Sequence, residues 1–78
     1  MRKLEILRDM YPPGTRISMI KMPDPPETLP IPPGTIGTVK YADDAGQLHI
    51  KWENGRSLAV IPGVDEFLVV FRPKQRHK

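Results

Sequence analysis

A chain of 78 residues has room for one small domain, and a domain of this size buries too little surface to enclose a deep catalytic cleft. The absence of cysteine excludes disulfides, thiolate metal sites and thiol nucleophiles. The longest apolar runs are four or five residues, far below the roughly 20 residues that cross a bilayer, so we expect a cytoplasmic protein without a membrane partner.

The net charge of +3 is distributed unevenly along the chain. Residues 1–8 carry +2, residues 72–78 carry +4, and the body between them, residues 9–71, carries −3. The basic character therefore belongs to the two ends. We expect an N-terminal arm or short helix over residues 1–10, a β-barrel domain over residues 11–71, and a disordered basic tail over the last seven residues.

The first ten residues have the spacing of a short helix. Leu4 and Leu7 lie three positions apart, and Ile6 and Met10 can widen the apolar side. The helix should end at Tyr11, because a residue that precedes proline avoids the α region. A helix this short is marginal in isolation and has to dock on the body of the domain.

A Pro-Pro-Gly-Thr motif occurs twice, at residues 12–15 and 32–35. It is typical of a type II turn, because proline presets φ and glycine supplies the positive φ of the third position. Each copy is followed by residues with a preference for strands. The two motifs therefore predict turns that lead into strands over Thr15–Ile20 and Thr35–Tyr41.

The segment between these two strands, residues 21–31, has four prolines in eleven positions. Since proline cannot donate to a strand ladder, the segment is interpreted as a loop. It could form a polyproline II ligand for another domain, or fold over the barrel with Leu29 and Ile31 tucked in. The packed interpretation is favoured, because long loops in compact domains are usually packed or functional.

The remaining residues predict three more strands separated by short turns. The first strand alternates cleanly and places Trp52 on its apolar face, which indicates a core residue rather than a reader of proline peptides. An Asn-Gly pair, a strong hairpin signal, joins it to the second strand. The three predicted strands are Gln47–Glu53, Arg56–Ile61 and Phe67–Phe71.

The hairpin between Trp52 and Arg56 can adopt two registers. A two-residue loop would place Leu58 and Val60 on the outer face. A three-residue loop, with Gly55 as a left-handed bulge, would pair Trp52 with Arg56 and turn both apolar side chains inward. Burying each of them is worth roughly 1.5–3 kcal/mol, which outweighs the difference between turn types. We therefore predict the bulged register.

Five short antiparallel strands in this order predict an all-β, five-stranded SH3-like barrel with a short N-terminal helical turn. The alternative five-stranded barrel, the OB-fold, usually carries a helix between its third and fourth strands. In this chain those two strands are joined by Asn54-Gly55, which favours the SH3-like order.

A set of linked motifs runs through the predicted domain: Tyr11–Arg16, Leu29-Pro30, Pro33–Thr35, Gly37–Val39, Asp43–Gln47, Ile50–Gly55, Ser57-Leu58 and Ile61–Asp65. Together they resemble a small bacterial family, a domain of unknown function found in Gram-positive bacteria and their phages and mobile elements. The resemblance covers residues 11–70 and implies no activity. More loosely, Gly34–Val39 is similar to SH3-like barrels of the KOW class, which bind RNA or proteins.

The chain offers little material for catalysis or for cofactor binding. His49 and His77 lack sequence neighbours suited to a catalytic pair or a metal cluster. The paired carboxylates Asp43-Asp44 and Asp65-Glu66 lie in predicted turns, where aspartate is favoured for local hydrogen bonds to the backbone. We therefore expect a non-enzyme with no cofactor and no metal.

The sequence thus predicts a binding module, with protein–protein interaction in a bacterial or phage system as the leading hypothesis. The candidate protein-binding residues are Tyr11, Leu29, Ile31 and Tyr41. A nucleic-acid accessory role is the alternative, because basic arms neutralise phosphates without fixed structure; a structural or homo-oligomerising role ranks third. The candidate nucleic-acid-binding residues are Arg72, Lys74, Arg76 and Lys78.

Overall fold

The computed structural model describes residues 3–21 and 31–73. These residues form one helix and four strands, in the order α1 (Lys3–Met10), β1 (Arg16–Lys21), β2 (Ile36–Ala42), β3 (Leu48–Trp52) and β4 (Glu66–Phe71). The strands make one antiparallel sheet in the order β3-β2-β1-β4. The mostly-β prediction and the short N-terminal helix are confirmed. The described residues show an open four-stranded sheet, and not the predicted five strands closed into a barrel.

The segment Arg56–Ile61, predicted as a strand, instead makes isolated bridges to β3. The Leu48 amide and carbonyl both bond to Val60, at 2.8 and 2.9 Å. Two residues earlier in the segment, the Leu58 amide makes a longer hydrogen bond of 3.3 Å to the Ile50 carbonyl. The Leu58 carbonyl accepts a 3.0 Å hydrogen bond from the Trp52 indole. The Leu58 carbonyl thus bonds to a side chain at the point where a regular ladder would bond it to the β3 backbone, and the strand is interrupted there.

The bulged register of this hairpin is confirmed. The Trp52 amide donates to the Arg56 carbonyl at 2.8 Å, and Gly55 adopts a φ of 89°. Val60 is fully buried and Leu58 packs partly buried against the core. Burial of the two apolar side chains therefore selected the loop length, as expected.

The two Pro-Pro-Gly-Thr turns are confirmed and have matching geometry. Gly14 and Gly34 have φ values of 95° and 89°, and the threonine amide of each motif donates to the first proline carbonyl, at 3.0 and 3.1 Å. The Gly14 amide also donates to Val39, and the Gly34 amide to Met19. The first turn is therefore bonded to β2 and the second turn to β1. These two bonds align the strands with each other.

The core lies on one face of the sheet and is closed by α1. Trp52 is 1% exposed, which confirms its interpretation as a core residue. Leu4 and Leu7 of α1 pack against the same cluster, so the helix is docked as its length required. The buried apolar residues are Ile17, Met19, Ile31, Val39, Ala42, Leu48, Ile50, Trp52 and Val60.

Candidate protein-binding surface

Strand β4 exposes apolar side chains that a core strand would bury. Phe67 and Val69 pack partly buried against the core, whereas Leu68 and Val70 are 58% and 53% exposed. Since successive side chains of a strand point to opposite faces, Leu68 and Val70 lie on the outer face of the sheet. A run of five consecutive apolar residues thus supplies both faces of this strand.

A register shift adds Phe71 to the exposed set. Ile17 of β1 pairs with Val69, but the preceding residue Arg16 pairs with Phe71, which leaves Val70 as an extra residue in β4. Such a bulge turns the following side chain out of its regular alternation, and Phe71 is 54% exposed. We refer to Leu68, Val70 and Phe71 together as the β4 surface.

The β4 surface lies on an edge of the sheet. Within residues 3–21 and 31–73, β4 pairs with β1 along one side only. Edge strands with exposed backbone groups can accept a further strand, and proteins commonly protect such edges with charged residues or proline. In β4 the charges stand only at the ends, Glu66 at the start and Arg72 just beyond the last residue. The arrangement suits the addition of an extended protein segment.

Sequence reasoning did not select these residues as a site, because it interpreted Phe67–Phe71 only as the last strand of a barrel. The signal that could have found them is the alternation itself. If Phe67 and Val69 face the core, then Leu68 and Val70 must face away from it. Only a second covering layer would bury them, and the chain is too short to supply one on both faces of the sheet.

The candidate residues Tyr11 and Ile31 have different environments. Tyr11 contacts Phe67 edge to face, with ring centroids 5.7 Å apart, and lines a groove of about 340 Å³ together with Ile20, Pro62 and Glu66. Ile31 is only 4% exposed. It is a core residue, in agreement with the packed-loop interpretation, and it is not available to a partner. Candidate Leu29 lies outside the described residues.

Tyr41 belongs to a separate polar cluster on the outer face. A register shift after Val39 pairs Tyr41 with His49 of β3, and the two rings stack at 4.3 Å with an angle of 11°. Tyr11 contacts β4 and Tyr41 contacts β3, which are the two edges of the sheet. The structure therefore does not bring the two tyrosines into one aromatic surface.

Asp43 holds this polar cluster to the turn before β3. Its Oδ1 accepts hydrogen bonds from the amides of Ala45 and Gln47, both at 3.0 Å, which confirms the predicted local turn role. Its Oδ2 lies 2.7 Å from Nε2 of His49. The hydrogen bond with His49, and then that with the Gln47 amide, lower the pKa of the Asp43 carboxyl below its ordinary 3.8.

The lowered pKa of Asp43 predicts a loss of stability in acid. Because the unfolded state binds a proton more readily than the folded state, the contribution of Asp43 is present above pH 3.8 and is lost as the pH falls through the lower folded value. We expect Asp43→Asn to lower the urea midpoint at neutral pH and to flatten its decline between about pH 4 and pH 2. Asp44→Asn, at an exposed neighbour, is the control. A wild-type decline that survives in Asp43→Asn would contradict the assignment.

The candidate nucleic-acid-binding residues are described only in part, since Lys74, Arg76 and Lys78 lie outside the described ranges. Arg72 donates from Nε to the carbonyl of Met10 at 3.0 Å, and so satisfies the last residue of α1. Pro73 stands beside Gly14, where an added Cβ would lie 3.6 Å from its ring. Arg72 and Pro73 therefore contact the folded body.

Over residues 3–21 and 31–73, no group of three or more His, Cys, Asp or Glu is arranged to hold a metal ion. No helix in the same ranges has both the length and the apolar character needed to cross a membrane.

The fold and the β4 surface together define a small, mostly-β domain with one short helix. The chain belongs to the family described as Domain of unknown function (DUF4314), whose model matches residues 1–70. No curated protein matches the chain, and no solved structure does.

Proposed function

We propose that this chain is a non-enzymatic protein-binding module of the bacterial or phage cytoplasm, and that it associates with its protein partner through the β4 surface. One observation carries the proposal: the edge strand exposes more than half of the side chains of Leu68, Val70 and Phe71. Exposed apolar patches on small soluble domains mark interaction sites more often than isolated apolar residues do.

The edge position of β4 favours recognition of an extended segment. Such a segment would gain main-chain hydrogen bonds from the open side of β4 and would cover the apolar side chains at the same time. The other side of β4 is fixed by its pairing with β1, whose Ile17 and Met19 are buried. Because β4 is already held in place, it loses little conformational entropy when a partner binds.

We propose further that the domain is an SH3-like barrel. The segment Arg56–Ile61 is hydrogen-bonded to the side of β3 that β2 does not occupy. If this segment is counted as a fifth element, the spatial order of the elements is the segment, β3, β2, β1 and β4. β1, β2, β3 and this segment then form a four-strand meander, and its first strand, β1, also pairs with the last strand, β4. This connectivity supports the SH3-like assignment.

The distribution of charge along the chain favours a protein partner over nucleic acid. The body, residues 9–71, carries −3. Arg16 pairs with Glu53, and Arg72 is bonded to the Met10 carbonyl. Arg16 is thus engaged by a carboxylate within the domain, whereas the β4 surface offers apolar contact area.

A lysine at the centre of the β4 surface should abolish partner binding and leave the fold intact. We expect Leu68→Lys to weaken the affinity for the native partner at least about tenfold, or ~1.4 kcal/mol, because it places a charge in the centre of an apolar contact. Ile6→Lys on α1 makes the same change at a side chain of similar exposure, 47%, and should bind as wild type.

The partner would be isolated from the host with the tagged full-length chain, identified by mass spectrometry, purified, and titrated calorimetrically against both variants. Thermal unfolding should differ from wild type by no more than about 0.5 kcal/mol for either surface variant. If Leu68→Lys binds the purified partner as tightly as Ile6→Lys does, the β4 surface is not the binding site. If only RNA copurifies, and with equal yield for both variants, the nucleic-acid alternative replaces the proposal.

A further inference from the structure

The residues of β4 and the arginine that follows it are complementary to themselves. They read Glu-Phe-Leu-Val-Val-Phe-Arg, with Val69 at the centre, an acid at one end and a base at the other. When two such strands pair antiparallel about Val69, Glu66 of each lies opposite Arg72 of the other. In the same register, Leu68 lies opposite Val70 of the second copy, so that exposed apolar residues meet exposed apolar residues.

From this self-complementarity, and resting on the proposed function of the β4 surface, we infer that the partner of the β4 surface is a second copy of this chain. Two β4 strands would pair antiparallel about Val69 and join the two sheets into one. The contact is isologous, since each copy offers the same strand to the other, and it therefore closes as a two-fold dimer. Each strand uses the edge that carries no other strand among residues 3–21 and 31–73, so no backbone pairing with β1 is lost.

Other registers fit less well. A slip of one residue would bring outer-face side chains against core-facing ones. A slip of two residues would place either Glu66 opposite Val70, or Leu68 opposite Arg72, so that a charge would lie against an apolar side chain. The register centred on Val69 matches the charges and pairs exposed Leu68 with exposed Val70, while Phe71 lies opposite Phe67.

The contact that Arg72 already makes is compatible with this pairing. Its Nε donates to the Met10 carbonyl, and a guanidinium has further N–H donors for a second acceptor. The bond to Met10 places the arginine beside the end of β4. A carboxylate arriving from the second copy would accept from the remaining donors in a charge-assisted hydrogen bond.

A charge-swap experiment on the full-length chain tests the inference. Glu66→Arg alone would place two arginines opposite each other at both ends of the paired strands, and Arg72→Glu alone would place two acids there. Each variant should raise the dimer dissociation constant about tenfold or more, because the pair occurs twice in the dimer. An equimolar mixture of the two variants restores opposite charges at both ends and should form a heterodimer as tightly as wild type. Sedimentation velocity from about 10 μM to 1 mM would give the dissociation constants of the wild type, the two variants and their mixture.

A second measurement covers the case in which Arg72→Glu loosens α1. The chain has no cysteine, so Leu68→Cys and Val70→Cys each introduce a single thiol at an exposed position. Their mixture should oxidise to the mixed disulfide in preference to either homodimer. A wild-type chain that stays monomeric to 1 mM overturns the inference, as does a dimer that is indifferent to the charge swap and to the cysteine pairing. The wild-type chain could instead be monomeric and bind a different protein, with that binding lost in Leu68→Lys. This outcome would overturn only the second copy as partner and would leave the proposed function standing.

Discussion

Replacing Gly37 with alanine is expected to destabilise the domain by about 3 kcal/mol, at the upper end of the usual cost of overpacking a core. A Cβ at this position would lie 2.4 Å from Cγ2 of Ile50 and 2.6 Å from Cε3 of Trp52. Both side chains are buried and neither can move into open space. Since a small domain has only about 5–15 kcal/mol in total, the loss should be visible as a large fall in the urea midpoint.

Gly46→Ala separates this steric effect from the conformational cost of losing a glycine. Gly46 has a φ of 86° and no atom within 4 Å of an added Cβ, so alanine there should cost only the left-handed penalty of about 1–2 kcal/mol. Combining Gly37→Ala with Ile50→Ala should cost less than the sum of the two single changes, because the second change removes the nearest atom. Equal destabilisation by Gly37→Ala and Gly46→Ala would contradict the account.

The parts of the fold that the sequence predicted correctly depend on short-range chemistry. The two Pro-Pro-Gly-Thr turns need only a fixed φ at proline and a positive φ at glycine. The register after Trp52 needed one comparison, between burying and exposing Leu58 and Val60. In both cases the deciding groups lie within a few residues of each other, so no knowledge of the tertiary structure was required.

The interrupted strand at residues 56–61 could not be predicted in the same way. Its apolar and polar residues suit a strand, and its register is that of a strand. The regular ladder is interrupted where the Leu58 carbonyl accepts from the Trp52 indole. Which acceptor a buried indole finds depends on where the surrounding core places it, and that information is not local.

The β4 surface was missed for a topological reason. A run of five apolar residues is compatible with a strand buried on both faces, and nothing in the run states that β4 lies at the edge of the sheet. The pairing of Asp43 with His49 was missed for a related reason. The two residues are six positions apart, and only the register shift beside Tyr41 brings the ring, the imidazole and the carboxylate together.

Trp52→Ala is expected to have the largest effect of any single change considered, about 3–5 kcal/mol, because the side chain is the largest fully buried one. It removes packing against the core and also the 3.0 Å hydrogen bond from the indole to the Leu58 carbonyl. Unfolding should be followed by far-UV circular dichroism, since Trp52 is the only tryptophan of the chain and the variant has no indole fluorescence.

Trp52→Phe isolates the hydrogen bond from most of the packing. Phenylalanine keeps an aromatic ring in the core but leaves the partly buried Leu58 carbonyl without its indole donor, at a cost of roughly 1–3 kcal/mol. Because that bond adds to the backbone hydrogen bonds that hold residues 56–61 against β3, the loss should be local as well as global. The amides of Leu58 and Val60 should exchange with solvent faster relative to the Ile17 amide of β1 than they do in wild type. If the exchange rates of all three amides change by the same factor, the indole stabilises the core alone and does not anchor residues 56–61 to β3.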